Sequence, residues 1–551
     1  MNGTFTRARL ASTPLLLLLP WIVAIWGGMH ALRGYWEPDE ARFVYVAREM
    51  AASGDWLVPH RHGIPYAHKP PLMFWLINLG ETTLPLPFGS RLPSFLGVLL
   101  SLASVYGIAK LWGDRMFALR SVAVLSSCWL FWITGGMGQI DALLLGLESS
   151  ALYLLLRSDR LHPDRLPGAA FPLMGLAVLA KGPVGLLIPL GVYLCLRAAR
   201  RHDPGPRTTP GLLLLGILIA LAIPLAWIAA CWRFVAPDGY LREILFTQNV
   251  SRAAGALGHR QSTLYYLFHL PVGFLPWTPF IPAAIAGLRK SNPALLRKLV
   301  VWTAFVVLFF SIPSSKRNLY ILIAMPALAM TIAAGWDAIS ASEANRKGAV
   351  ALAVSTALGS TAAALAVLVR NEIPFLASNP AATHALASID AWPFALLATA
   401  GVFFAWHLRK PGLRWLSRFT WGACVAWAIA GWFVFPAFDS IKVPVEIIPL
   451  ASEFIPDDGR LLLYDFNGET LALHAGRTGL RCADDAETLR AMAAQGRGLV
   501  VFPDKYAASL ESRFPGIVES GTFRMGSKLF TWGAYDVDAR TPDFRPPTST
   551  P

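Results

Sequence analysis

Between residues 37 and 71 the chain gathers side chains able to bind an anionic substrate and act on it. They are Glu37-Pro38-Asp39-Glu40-Ala41-Arg42-Phe43, then Gly54-Asp55-Trp56, then Tyr66-Ala67-His68-Lys69-Pro70-Pro71. The stretch follows a strongly apolar run, so acids, a lysine and stiff prolines meet the edge of a membrane. A charge at a bilayer centre costs several kcal/mol, so charges gathered beside a span either face water or are used.

From Asp39 the residues Phe43, Val46, Ala47 and Met50 follow the i, i+3, i+4, i+7 spacing of one apolar helix face. Such a helix is too short to span and suits the membrane interface. Asp39 would occupy its first turn, where free N–H groups and the helix dipole favour an ionised carboxylate. The same position is that of an ordinary cap, and spacing alone does not separate the two. Glu40 lies roughly 100° round the helix from Asp39, so one of them is expected to be functional, not both. Lys69 precedes two prolines that stiffen the backbone, so its ammonium can be held in one direction as a phosphate reader; a lysine snorkelling to the water boundary is the plainer alternative. Leu72 to Leu79 reads as a second interfacial helix.

Three further groups could join this segment. Asn249, Arg252, His259 and Tyr265-Tyr266 fall in a long polar loop whose aromatics argue against disorder. Ser315-Lys316-Arg317-Asn318-Leu319-Tyr320 places two cations and a phenol at the rim of another span. Asp141, after Gly135-Gly136-Met137-Gly138-Gln139, is either a cap or an acidic partner in the same site. His68 and His259 could share a divalent metal, but two distant histidines without ligand spacing give no cofactor.

Composition fixes what must position these groups. With 551 residues, 55% hydrophobic and 15% charged, the chain is too apolar for a soluble protein and reads as a polytopic helical membrane protein. The five cysteines lie without a CxxC pair or a histidine spacing, so neither a disulfide framework nor a zinc cluster is supported. The first apolar stretch, flanked by Arg7 and Arg9, has no small-residue cleavage site after it and is expected to remain as a helix. Much of the net charge of +14 sits in one set of loops, around Arg115, Arg157, Arg200, Arg289, Arg346 and Arg409, which read as cytoplasmic.

Taking those loops as inside gives thirteen spans, at 10–32, 91–112, 116–134, 140–156, 167–180, 183–199, 210–232, 267–287, 299–312, 318–336, 348–369, 391–408 and 416–436. The first large loop (33–90), the Asp141 end of the fourth span, the loop at 233–266 and the Ser314 to Asn318 turn then share the outer face. Residues 1–436 form the membrane domain in this reading. Residues 437–539 form a small outer α/β domain, with strands at 461–466 and 498–502 and a helical pattern over 484–494, and 540–551 a disordered Pro/Thr/Ser tail.

The order of motifs resembles a known family. Asp39-Glu40 with Arg42 and Arg48-Glu49-Met50, Gly54-Asp55-Trp56-Leu57-Val58-Pro59, and Tyr66-x-x-Lys69-Pro70-Pro71-Leu72 resemble the first outer loop of the bacterial lipid A aminoarabinose transferases. These are GT-C glycosyltransferases related to the protein O-mannosyltransferases. The resemblance continues through Arg91-Leu92-Pro93-Ser94, Lys181-Gly182-Pro183, Asn249-x-x-Arg252, Ser315-Lys316 with Tyr320, and Tyr464-Asp465-Phe466. It implies thirteen transmembrane helices, interfacial helices and a periplasmic α/β domain in a bacterial inner membrane. It also implies transfer of 4-amino-4-deoxy-L-arabinose from undecaprenyl phosphate to lipid A, the lipopolysaccharide change behind polymyxin resistance. By resemblance Asp39 is the principal catalytic acid and Asp141 a second acidic position. Lys69 and Arg252 bind the lipid phosphate, with Tyr66, Tyr320 and Glu40 nearby. His68 stands where the family usually has Glu.

Two alternatives remain in the sequence. A related enzyme would move another sugar, such as mannose or galactosamine, from a polyprenyl phosphate to protein or another glycan. A lipid-linked sugar flippase would line mid-membrane spans with polar groups, whereas here the candidate charges cluster at one rim.

Overall fold

The computed structural model describes residues 15–199, 208–235, 239–251, 261–372, 389–410, 412–443, 447–448, 460–464, 468–474, 476, 481–483, 497–507, 517–525 and 528–536. The first helix, α1, is Leu15–Ala31. The helix expected from Asp39 follows as α2, Asp39–Ser53, closed by Gly54 in the left-handed conformation with its N–H on the Met50 carbonyl. The second short helix is α3, Leu72–Thr83. Between them a tight hairpin pairs β1, His60–Arg61, with β2, Ile64–Pro65, and its turn residues His62 and Gly63 have φ of 57° and 76°. Positive φ at both turn positions matches the right-handed strand twist. The Glu49 carboxylate accepts from both turn N–H groups, at 2.9 Å from His62 and 2.5 Å from Gly63.

The helices continue with α4, Leu92–Trp112; α5, Arg115–Ser126; α6, Trp129–Gly136; and α7, Ile140–Leu161. Then come α8, Ala170–Lys181; α9, Val184–Ala199; and α10, Pro210–Ala230. Further helices run over Tyr265–Gly273, Ile281–Ser291, Pro293–Ser311, Met325–Ala334, Glu343–Leu368, Trp392–Arg409 and Trp415–Ile429. Among the described residues five helices are long and apolar enough to cross a membrane, or up to seven if each of two bent pairs is one span. Several start at polar caps beside the basic loops: Asp114 accepts from Phe117 N at 2.7 Å, Asn292 from Leu295 N at 3.0 Å and Ser342 from Asn345 N at 3.2 Å.

Three segments differ from the straight spans and open loop read in the sequence. Residues 116–134 form two helices bent by 66°, because the Ser127 hydroxyl binds the carbonyls of Ala123 and Val124 at the break. Indole N–H groups of Trp277 and Trp427 occupy the opening, on Ser127 Oγ and O at 3.0 and 2.7 Å. Residues 267–287 bend by 102° at a stretch that holds Pro271 and Pro276, which lack the N–H groups a straight helix needs. Much of the expected loop at 233–266 is helical instead, over Cys231–Val235 and Tyr240–Ser251. Arg252 and His259 lie outside the described residues, as do the helical pattern at 484–494 and the tail.

Helices α4 and α7 touch backbone to backbone. A Cβ on Gly97 would lie 2.2 Å from the Ala142 carbonyl oxygen, and one on Gly146 would lie 2.7 Å from that of Gly97. Small residues permit this close approach, which fixes α7 within the bundle.

Among the described residues after 459 lies a five-stranded sheet of order β4-β3-β5-β7-β6, made of β3 Arg460–Tyr464, β4 Arg481–Ala483, β5 Arg497–Pro503, β6 Ile517–Met525 and β7 Lys528–Asp536. Strand β3 runs parallel to β4 and β5, and β7 runs antiparallel to β5 and β6. Strands β3 and β5 are the two expected from sequence. Their Leu461, Leu463, Leu499 and Val501 form one buried cluster with Ala41, Val44 and Tyr45 of α2. On its other side α2 packs Phe43, Val46, Ala47 and Met50 against α3 and neighbouring helices. Polar contacts reinforce the sheet side: Asp439 accepts from Gly34 N and Trp36 Nε1, both at 2.6 Å, and Arg61 pairs with buried Glu469. Helix α2 is therefore clamped between membrane bundle and sheet, with its first turn at the junction.

Candidate active site

That first turn divides its two acids. Glu40 is 2% exposed and binds Arg33 through both oxygens, at 2.7 and 2.9 Å. It also accepts from Arg91 Nε at 2.6 Å and Trp36 N at 3.1 Å. Arg91 in turn donates to the carbonyls of His30, Arg33 and Gly34, each at 2.8 Å, and so satisfies groups left open where α1 ends. Gly138 has φ of +61°, and a Cβ there would lie 2.6 Å from Glu40 Oε1. The expectation of Glu40 near a ligand phosphate is corrected: four hydrogen bonds hold it inside the scaffold.

Asp39 faces the other way, into a cavity of about 100 Å³. The hairpin and the two prolines bring Tyr66, His68 and Lys69 to its wall, the start of α7 brings Asp141, and the end of α8 brings Lys181. Arg317 and Tyr320, from the turn before Met325–Ala334, complete it. Of the residues expected at the site, Asp39, Lys69, Tyr66, Tyr320, Asp141 and His68 thus converge from segments nearly 300 positions apart.

Two lining residues, Arg317 and Lys181, carry more of the electrostatics than their sequence context suggested. Arg317 Nη2 donates to Asp39 Oδ2 at 2.7 Å, and Arg42 binds Oδ1. Tyr266 holds the Arg317 carbonyl through its hydroxyl at 3.1 Å. Adjacent Lys316 turns away, to the carbonyls of Pro313 at 2.6 Å and Gln261 at 3.4 Å. Lys181 pairs with Asp141 and lies 5.1 Å from the centre of the Tyr320 ring. The signals are present in Lys181-Gly182-Pro183, one of the motifs of the family resemblance, and in the Lys316-Arg317 pair, whose directions only the fold separates.

Burial raises the Asp39 carboxyl, but the Arg317 hydrogen bond and the charges of Arg317, Arg42 and Lys69 outweigh it and hold the group below its ordinary value. The cavity wall carries four cations, Arg42, Lys69, Lys181 and Arg317, against two carboxylates, Asp39 and Asp141. A surplus of fixed positive charge in a partly desolvated cleft suits an anion such as a phosphate. His68 stacks on Tyr66, ring centres 4.9 Å apart, and among the described residues no three His, Cys, Asp or Glu side chains converge as a metal site.

Residues 68–228 match the family described as dolichyl-phosphate-mannose-protein mannosyltransferase. In backbone arrangement the protein is similar to the crystal structure of ArnT from Cupriavidus metallidurans in the apo state, with a TM-score of 0.73 and 21% identity over 98% of this chain and 100% of that one. The chain shares the GT-C fold of that ArnT. The same ArnT bound to undecaprenyl phosphate gives a TM-score of 0.73 with 97% of this chain covered. By sequence, the undecaprenyl phosphate-alpha-4-amino-4-deoxy-L-arabinose arabinosyl transferase 1 of Sodalis glossinidius is 31% identical over 312 residues, 54% of each chain. The corresponding transferase of Erwinia tasmaniensis is 29% identical over 357 residues, 61% of this chain and 62% of the relative. The matched stretch spans about half the length of the first of these relatives.

Proposed function

We propose that this protein is an inverting glycosyltransferase that moves 4-amino-4-deoxy-L-arabinose from undecaprenyl phosphate to a phosphate of lipid A, at the periplasmic face of a bacterial inner membrane. The observation that carries the reading is the state of Asp39. A carboxylate bound by two guanidinium groups and held below its ordinary pKa is a poor proton acceptor. A hydroxyl acceptor on protein or on another glycan needs a base; a phosphate acceptor is already an anion and needs none. The relatives' names supply the sugar and the carrier.

In this mechanism an oxygen of the acceptor phosphate attacks the anomeric carbon from the face opposite the polyprenyl phosphate. One carbon–oxygen bond forms as the other breaks, and the electron pair leaves with undecaprenyl phosphate. Lys69, Lys181 and Arg317, with Arg252, stabilise the charge growing on the leaving group, and such electrostatic stabilisation usually contributes most to catalysis in sites of this kind. Asp39 orients the reacting groups, and Asp141 holds Lys181. The finer architecture belongs to the same proposal: thirteen spans, a membrane domain to residue 436, and a periplasmic α/β domain over 437–539. Adding an aminosugar gives lipid A positive charge and lowers its attraction for cationic peptides such as polymyxin.

The test supplies the purified protein with undecaprenyl-phosphate aminoarabinose and lipid A and follows lipid A mass. A gain of one aminopentose that disappears in Asp39→Asn is expected. Donor binding without any gain would overturn the acceptor and leave a transferase for another glycan or protein.

A further inference from the structure

A second cavity, of about 160 Å³, opens from the first and shares Lys69, Asp141, Lys181 and Tyr320 with it. Its deeper wall is apolar, formed by residues such as Leu144, Phe310 and Ile323. One acid interrupts that wall. Glu148 lies seven residues beyond Asp141, two turns further along the same face of α7 and about 10 Å deeper. It is 2% exposed, it lines the cavity, and its Oε1 has no hydrogen-bond partner among the described residues. Of the two lysines that line this cavity, Lys181 is paired with Asp141. A buried carboxyl without a partner is costly and is retained where something else completes it.

We infer that Glu148 is the recognition site for a primary ammonium carried on the sugar of the lipid-linked donor. The inference rests on the donor class proposed above. An ammonium supplies the charge and the N–H groups that the Glu148 carboxylate lacks, while the surrounding apolar wall meets the ring's carbon face. A polyprenyl chain in the same cavity would leave Glu148 unpaired. The closeness of α4 and α7 at Gly97 and Gly146 leaves α7 little freedom to turn the carboxyl elsewhere. The two cavities then divide the donor, phosphate among the cations at the rim and amine at the deep end, and discrimination for an aminosugar follows from Glu148.

Binding tests this independently of turnover. Native mass spectrometry of the purified full chain compares undecaprenyl-phosphate aminoarabinose with the same donor whose amine is blocked as a formamide. The wild-type protein should prefer the free amine by about 10-fold or more, the worth of a charge-assisted hydrogen bond. Glu148→Gln, close in shape, should lose that preference and still retain undecaprenyl phosphate. Equal binding of both donors by the wild type, or an unchanged preference in Glu148→Gln, overturns the ammonium site. A preserved preference without lipid A modification overturns the proposed acceptor and leaves the ammonium site standing.

Discussion

Asp39 and Glu40 are adjacent acids in one helical turn, and the structure assigns them opposite consequences when neutralised. Glu40→Gln keeps the volume but removes the charge that compensates Arg33 and Arg91, both 0% exposed. At least two of the three guanidinium hydrogen bonds, at 2.6, 2.7 and 2.9 Å, would face an amide N–H₂ or lose their ionic character. Removing one partner of a buried ion pair typically costs about 3–5 kcal/mol. At roughly 1 °C per kcal/mol for a chain of 551 residues, the apparent Tm should fall by about 3–5 °C. Asp39→Asn removes two partly exposed pairs, with Arg42 and Arg317, each worth about 0–1 kcal/mol, so its Tm should move by no more than about 2 °C. The assay is thermal unfolding in detergent at one fixed scan rate, since unfolding of so large a protein is read kinetically. Beside it runs the lipid A mass assay at a temperature where both variants are folded. Asp39→Asn should lose transfer with its fold intact, and Glu40→Gln should retain transfer with its fold weakened. The reasoning is refuted if Glu40→Gln abolishes transfer at unchanged Tm, or if Asp39→Asn lowers the Tm as far.

Arg317→Ala should reduce transfer by about 100-fold or more, the usual effect of removing one charge-stabilising donor, while Arg317→Lys restores part of the loss. Because Asp39 is held down in the wild type, its ionised form is lost only as pH falls through that depressed value, and in Arg317→Ala the acid limb of the pH–rate profile should move up toward the ordinary aspartate range; an unmoved limb would separate Arg317 from Asp39. Burial and nearby Glu469 push Glu37 up to about 7 from 4.5, so the folded state holds a proton the unfolded chain has released, and stability declines as pH rises between those two values. Glu37→Gln should flatten the fall in Tm between pH 5 and 8, and a slope equal to wild type would remove Glu37 as its source.

Local pattern was enough for the elements. The α2 face of Phe43, Val46, Ala47 and Met50, the pair of short helices in the first loop, most apolar segments and strands β3 and β5 are written in periods of 3.6 and 2 that need no distant partner. Bends were less legible, since the break at Ser127 depends on a side chain competing for its own helix carbonyls and on indoles arriving from distant helices. The hairpin of β6 and β7 was not read at all.

A helical membrane protein with its candidate charges gathered at one rim is legible in the amino-acid sequence alone. Those conclusions follow from composition, charge placement and short motifs. That Asp39 faces the cavity while Glu40 holds the scaffold, that Arg317 rather than Lys316 reaches Asp39, and that Glu148 lines the deeper cavity emerges with the packing of distant helices. Direction depends on partners: a side chain's charge is legible from its letter, but whether it meets a guanidinium, a carbonyl or an open cavity depends on segments hundreds of residues away.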